Sequence, residues 1–471
     1  MRYLLVVIAA CACASLTFAQ AVSDPAESSV GMKTVVDHPL LHEVTSDVSA
    51  ARLQATDTRL VGFGTRHTLS DTRSNTRGIG AARRWVASEF QSISRACHGC
   101  LEVVTPSDTV SGDRIPAPAL VMDVLAIQRG TGDPNRVVVI SGHLDSRVSD
   151  PMNATSDAPG ADDDGSGTSA VLETARALSQ HQFRATIVYA VLSGEEQGLY
   201  GGKILADYAK AQNWFIEADL NNDIVGNIHG VSGVTDATHV RVFSEGTRAI
   251  ETPDEAERRR YNGGEVDSPS RNLARYMDTL ADQYLPGFDV RMIYRTDRYG
   301  RGGDQVQMLA AGFPSVRVTE AAENYNRQHQ DVRTENGVAY GDVLAGVDFP
   351  YLAQVTRLNA ITLASLAMAP APPDHVQISG AVSADTRLQW ERAPGAVGYH
   401  VVWRDTTSPQ WPSSGSDAVV DDVTETTLHN VIIDDYFFGV AAVSADGYES
   451  PFEFPGVAGA FKPPTPTPAA H

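Results

Sequence analysis

A chain of 471 residues, 42% of them hydrophobic and 20% charged, has room for two or three domains with cores of their own. Its net charge of −21 disfavours nucleic acid and anionic membranes as partners, since both are polyanions. Past the amino terminus no uninterrupted apolar run is long enough to span a bilayer.

The chain opens with Met1-Arg2, an apolar run from Leu4 to Ala14, and Thr17-Phe18-Ala19 before Gln20. This reads as a secretory signal peptide, residues 1–19, and sets the expectation of a protein secreted or held in the periplasm. Ile8-Ala9-Ala10-Cys11 also has the form of a lipoprotein cleavage box, but it leaves a very short signal and ranks second. Residues 20–44 are polar and read as an arm or propeptide. A helix is predicted over 78–93, with Ile79, Ala82, Val86, Phe90 and Ile93 on one face. Next comes Cys97-His98-Gly99-Cys100, with no thioredoxin-like strand before it and no second cysteine pair to complete a zinc site. A local structural disulfide is the better reading.

Residues 119–127 look like a strand entering the central sheet. Val137 to Ile140 and Thr186 to Leu192 are short, β-branched and continuous, the pattern of parallel strands buried on both faces. Between them Val171, Leu172, Ala175 and Leu178 recur at helical spacing, with Ser166 and Thr168 available as caps. Phe215 to Asn222 and Pro314 to Thr319 read as further strands. The charged stretch 245–272, with Arg258-Arg259-Arg260, reads as a loop or lid insertion with a solvated face. A helix over 351–368 closes this unit. The fold class is α/β, a mostly parallel sheet flanked by helices.

The polar residues fall where such a sheet puts ligands, in loops at the carboxyl ends of its strands. His143 and Asp145 follow the first run, Asp163 lies in Gly160-Ala161-Asp162-Asp163-Asp164-Gly165-Ser166-Gly167, and Glu195-Glu196 follow the next strand. Asp223 ends the third, and His329 lies in the loop after the fourth. Five ligands with one shared carboxylate suit two zinc ions, which accept imidazole nitrogen and carboxylate oxygen and keep a position open for water. Two such ions roughly 3.5 to 4 Å apart polarise a carbonyl and supply hydroxide at neutral pH. Of two adjacent glutamates, one can bind metal while the other accepts a proton. Asp145 is expected to hold the second ring nitrogen of His143 and so fix its tautomer. His229 is the nearest competing ligand, but it stands in a turn without a partner.

These motifs, in this order, resemble the co-catalytic zinc exopeptidases related to bacterial leucyl aminopeptidase, glutamate carboxypeptidase and the transferrin receptor. The resemblance covers residues 45–368. It implies Asp163 as the bridging ligand, His143 and Asp223 as partners of one zinc, Glu196 and His329 as partners of the other, and Glu195 as general base. In such relatives a Ser/Gly-Asp-His stretch lines the cleft and a nearby tyrosine stabilises the tetrahedral intermediate, which makes Asp304 and Tyr299 candidates. Gln305 stands where the family often has histidine.

Ala369-Pro370-Ala371-Pro372-Pro373 reads as a stiff linker, residues 369–373. Beyond it the period changes to two, in Leu388 and Trp390, then Tyr399, Val401 and Trp403, then Tyr436, Phe438, Val440 and Ala442. Residues 374–458 resemble a fibronectin type III domain, suited to contact with a surface or polymer rather than to chemistry. Residues 459–471 read as a disordered tail.

The expected activity is that of an exported exopeptidase with two Zn2+ per chain, an aminopeptidase acting on peptide or protein amino termini. A carboxypeptidase is the nearest rival, since Arg298 and Arg301 could bind a terminal carboxylate. A glutaminyl cyclase is disfavoured by the complete ligand set, and a non-catalytic receptor by the intact ligands and Glu195.

Overall fold

The computed structural model describes residues 36–412 and 415–462. The expected signal peptide, the lipoprotein box, residues 20–35 and residues 463–471 lie outside them. The described chain begins with α1 (Pro39–Asp47), α2 (Ala50–Val61) and α3 (Ile79–Ala96). Leu41 and Val44 of α1 are fully buried, so the expected arm is already packed structure from residue 39 onward. α3 is capped at its carboxyl end by Cys97, which is disulfide-bonded to Cys100.

Twelve strands follow in this part of the chain. They are β1 (Leu101–Val104), β2 (Ser107–Gly112), β3 (Ile115–Met122), β4 (Val124–Gln128), β5 (Asp133–His143), β6 (Ala185–Leu192), β7 (Phe215–Asn222), β8 (His239–Phe243), β9 (Asp289–Ile293), β10 (Ser315–Glu320), β11 (Arg333–Glu335) and β12 (Val338–Tyr340). Interleaved with them are α4 (Gly165–Leu178), α5 (Tyr200–Ala211), α6 (Pro253–Asn262), α7 (Pro269–Tyr284) and α8 (Gln305–Ala310), and α9 (Phe349–Met368) comes after. Eight strands form one sheet in the order β1-β4-β6-β5-β7-β10-β8-β9. Its centre, β6-β5-β7-β10, is parallel, while β4 and β8 join antiparallel on either side.

The period of two in the strands divides the same residues between two cores. Val138 and Ile140 face a layer containing Leu172 and Ile361, whereas Val137 and Val139 face Leu205 and Trp214. Every residue of β6 is buried, as the continuous apolar run requires. Each fully buried Val, Ile or Leu contributes about 1.5–3 kcal/mol, so the parallel centre is a rigid base for the loops at its edge.

Three expectations need correction. Residues 119–127 are not one strand of the central sheet: the chain breaks at Asp123, β4 enters the sheet, and β3 pairs with β2 in a separate hairpin. Residues 245–272 are not a lid. They form α6 and the start of α7, and Gly263 and Gly264 run against Phe437 and Phe454 of the carboxy-terminal part, away from the strand ends. Residues 369–373 are no free spacer either, because all five are buried and the Ala369 carbonyl accepts a bond from Arg136.

The carboxy-terminal part consists of β13 (Asp374–Ser379), β14 (Thr386–Glu391), β15 (Gly398–Asp405), β16 (Asp417–Asp421), β17 (Glu425–Leu428) and β18 (Tyr436–Val443). They form two antiparallel sheets, β13-β14-β17 and β16-β15-β18, around Leu388, Trp390, Tyr399, Val401, Phe438 and Val440. This sandwich docks on α7. Asp267 receives Arg275 at 2.8 Å and Arg404 at 2.6 Å, the Trp411 indole donates to Asn272 at 3.1 Å, and Tyr276 donates to the Glu449 carbonyl at 3.0 Å.

Candidate metal centre

His143 is the last residue of β5, Asp223 directly follows β7, Glu195 and Glu196 follow β6, and Asp163 precedes α4. The parallel register brings these strand ends level, pairing His143 with Leu192 and Ser141 with Asn221. Close approach of the layers depends on glycine: a Cβ on Gly142 would meet the backbone of Gly167, and one on Gly167 would collide with the Asn222 carbonyl.

The aspartate triplet divides into three tasks. Asp162 accepts the Gly226 N–H at 2.7 Å and pins the turn after β7. Asp164 caps α4 through Gly167 N–H at 2.9 Å and also accepts the His143 N–H at 2.9 Å. Asp163 alone points both oxygens into the cleft, Oδ1 3.2 Å from His143 Nε2 and Oδ2 3.0 Å from His329 Nε2.

Two ligand sets result, His143–Asp163–Asp223 and Asp163–Glu196–His329, with Asp163 common to both. Each outer carboxylate is held by an arginine on one oxygen. Arg317 Nη1 lies 2.5 Å from Asp223 Oδ2, and Arg147 Nε lies 2.8 Å from Glu196 Oε2, so Asp223 Oδ1 and Glu196 Oε1 are left facing the imidazoles. Among the described residues no arginine pairs with Asp163, so both of its oxygens face the imidazoles. Arg147 Nη2 also lies 2.6 Å from His329 Nδ1.

The atoms fit a borderline metal. Among the described residues His143 Nε2 and Glu196 Oε1 are buried and make no well-directed hydrogen bond, each facing only another member of its ligand set, the state expected of donors shaped for a cation. Imidazole in each set suits zinc, whereas calcium asks for six to eight oxygens. Charge agrees. Burial acts to lower the His329 imidazole, yet Glu196 and Asp163 carry it up to about 10. Burial acts to raise Asp163, yet His329 and His143 hold it well below the carboxylate range. Glu195 lines the same cleft with its carboxyl well above the usual value, chiefly through burial, opposed by His143 and reinforced by Glu196 and Asp223.

Asp145 works differently from expectation. Its backbone carbonyl, not its carboxylate, is the nearer partner of His143 Nδ1, at 3.0 Å against 3.6 Å. The carboxylate instead accepts the N–H groups of Gly194, Glu195 and Glu196 at 2.9, 3.3 and 3.1 Å and the Thr68 hydroxyl at 2.9 Å. It thus shapes the turn that presents the two glutamates.

Neither cleft candidate lines the cleft. Tyr299 is 88% exposed, with Arg295 over its ring, and does not line the cleft; the tyrosine that does is Tyr325. Asp304 is buried behind it, accepting the Gly202 N–H at 2.8 Å, and burial pushes its carboxyl up to about 7 against the pull of His143. Gln305 donates to Asp297 at 2.5 Å, and Asp297 in turn flanks Arg317 at 3.6 Å. His229 is exposed and bonded to Thr235, away from both ligand sets. Sequence reasoning gave no role to Arg147, Arg317 or Asp342, whose carboxylate accepts the N–H groups of Asp162 and Asp163 at 2.8 Å each. A charged residue between Val316 and Val318 in a strand whose every residue is buried was the available signal for Arg317.

A parallel-centred sheet with imidazole and carboxylate ligands gathered at one edge defines a zinc hydrolase of the zinc exopeptidase fold. The Peptidase family M28 pattern matches residues 123–343, a span that contains all five candidate ligands. A probable zinc metalloprotease of Leptosphaeria maculans is 43% identical over 91% of this chain and 100% of its own length. One from Pyricularia oryzae is 42% identical over 88% of this chain and 84% of its own. The chain belongs to peptidase family M28 and is a zinc-dependent peptidase. LapB of Legionella pneumophila shares the fold, with a TM-score of 0.52 and 17% identity over 72% of this chain and 78% of that one. The LapA aminopeptidase of the same organism does so with a TM-score of 0.50 and 18% identity over 71% and 77%.

Proposed function

We propose that this protein is an exported exopeptidase with two zinc ions per chain, acting as an aminopeptidase. The observation that carries the dinuclear reading is Asp163, whose two oxygens face two different imidazoles while each outer carboxylate has one oxygen held by an arginine. In this reading His143, Asp163 and Asp223 hold one ion, and Asp163, Glu196 and His329 the other. Zinc so held would supply Lewis-acid polarisation of a peptide carbonyl and a more acidic water.

The chain's own residues supply the rest. Glu195, beside the ligand Glu196 and lining the same cleft, takes the proton of the attacking water and passes it to the departing amine. Asp145 keeps the Glu195 and Glu196 backbone in place through three N–H bonds. Arg317 and Arg147 restrict the outer ligands to one oxygen each. The exported location rests on the signal-like first 19 residues, and among the described residues no helix is long and apolar enough to cross a membrane. The three-on-three sandwich supports the fibronectin type III reading, and its docking on α7 favours a fixed accessory module over a swinging one.

A panel of aminoacyl and carboxy-terminal chromogenic peptides, assayed with zinc-loaded protein, tests the activity. Release from the amino end is expected. Release only from the carboxyl end would replace the aminopeptidase reading with the carboxypeptidase one.

A further inference from the structure

The cleft in front of the ligand sets, about 640 Å3 in volume, is lined by Arg114, Arg147, Arg298 and Arg301. Its acids are Asp163, Glu195, Glu196 and Asp223, all of them assigned above to metal or to proton transfer. Large apolar side chains are scarce, with Leu199 and Tyr325 the only ones in the lining. In a protein of net charge −21 this lining sets four arginines against four acids, so its formal charges balance.

The four arginines are not equally engaged. Arg147 is committed to Glu196 and His329. Arg298 pairs with Asp297 at 3.1 Å, and Arg301 reaches Glu323 at 3.3 Å, so the pair first suggested for a terminal carboxylate already faces acids of the protein. Arg298 nevertheless keeps a buried Nη1 without a hydrogen-bond acceptor. Arg114 has no carboxylate partner among the described residues. Its Nη1 donates to the Glu196 carbonyl at 2.7 Å, which places an uncompensated guanidinium next to the ligand loop.

That position is built. Arg114 sits at the turn of the β2–β3 hairpin, directly before Ile115, which is fully buried against Val121 and Ile204. Across the turn the Tyr200 hydroxyl bonds the Ser111 carbonyl at 3.1 Å. The hairpin that departs from the expected sheet therefore carries an exposed cation, tied by one hydrogen bond to the Glu196 carbonyl, to the mouth of the cleft. One Arg114 donor is used internally, and the planar fork retains donors for a carboxylate.

We propose that Arg114 is a specificity residue and that the cleft selects peptides presenting a carboxylate beside the scissile bond. This rests on the peptidase reading above and names its substrate class. The carboxylate has two possible sources, an acidic side chain or a free carboxyl terminus, and both meet the same guanidinium.

The test uses the full zinc-loaded chain and four short peptides: a neutral dipeptide amide, the same dipeptide with a free carboxyl terminus, a glutamyl peptide amide and a lysyl peptide amide. At least one carboxylate-bearing peptide should exceed the neutral amide in kcat/KM by ~10-fold or more, the scale of a charge-assisted hydrogen bond, and which one does so identifies the source. The advantage should appear in KM and shrink as salt is raised. Arg114→Gln should bring the ratio close to one and Arg114→Glu should turn it toward the lysyl peptide, with zinc content retained in both as the check on folding. Equal rates for all four peptides in the wild type, or a preference that survives Arg114→Glu, would overturn the proposal while leaving the peptidase reading intact. Cleavage of none of the four by zinc-loaded protein would overturn both.

Discussion

Arginine–carboxylate pairs are used in two opposite ways at the metal edge and at the sandwich interface. At the edge, Arg317 and Arg147 each take one oxygen of Asp223 or Glu196, and the released oxygens turn toward shared imidazoles. At the interface, Arg275 and Arg404 both converge on the same oxygen of Asp267, and the indole and guanidinium groups around it close the site with Trp411 and Phe437. The same residue types thus make a convergent set of donors in one place and a structural joint in the other, where the leftover Asp267 Oδ2 has no second ligand group beside it among the metal-ligand clusters of the described residues. What separates them is whether the leftover acceptors converge on a point that a cation can occupy.

Breaking each region should therefore give different losses. Glu195→Gln is expected to keep both metals and lose at least ~10²-fold in turnover, the scale of a removed general base. Metal loss alongside activity, or activity that survives, would mean that the two glutamates are assigned the wrong way round. Arg404→Met removes one partner from buried Asp267 and should destabilise the fold by ~3–5 kcal/mol, measured by denaturant unfolding, with zinc content unchanged. Zinc loss in that variant would show that the joint and the metal edge are coupled. Arg317→Met should act the other way, weakening metal binding by ~10–100-fold in a chelator competition because Asp223 loses its orienting partner. Unaltered affinity would reduce Arg317 to a packing residue.

The smallest effect concerns pH at the joint. Burial pushes the Asp278 carboxyl, which accepts from Gln410 at 2.6 Å, up to about 7 from a usual 3.8, with Asp289 and Asp282 adding to it. The folded state then holds the proton more tightly than the unfolded one, so this contribution is present at low pH and is lost as pH rises from about 4 to about 7. Asp278→Asn should narrow the fall in Tm over that window, and an equal fall in variant and wild type would remove Asp278 from the account.

The sequence carried the metal edge more clearly than its surroundings, and the reason is physical. The candidate ligands sit in loops directly after buried strands, so periodicity locates the stretches that carry them, while the choice of His143, Asp163, Glu196, Asp223 and His329 within those stretches is what the family resemblance implies. The parallel sheet followed from the same runs. The residues that shape the ligands come from elsewhere in the chain, as Arg317 on the neighbouring strand and Asp342 far downstream do, and no spacing rule links them to their partners. Tyr299 failed for a related reason: a loop motif fixes the order of residues but not which side chain turns inward. The hairpin of β2 and β3 was misjudged because an apolar run such as Ala119 to Ile127 does not reveal the break at Asp123, where the chain leaves one sheet and enters another.

The central claim is that Asp163 joins two metal sites into one. Its most direct measurement is zinc stoichiometry by elemental analysis after reconstitution, in the wild type and in Asp163→Ala. The account predicts two zinc ions per wild-type chain and loss of most of both in the variant. A single zinc in the wild type, or a variant that still holds two, would contradict it.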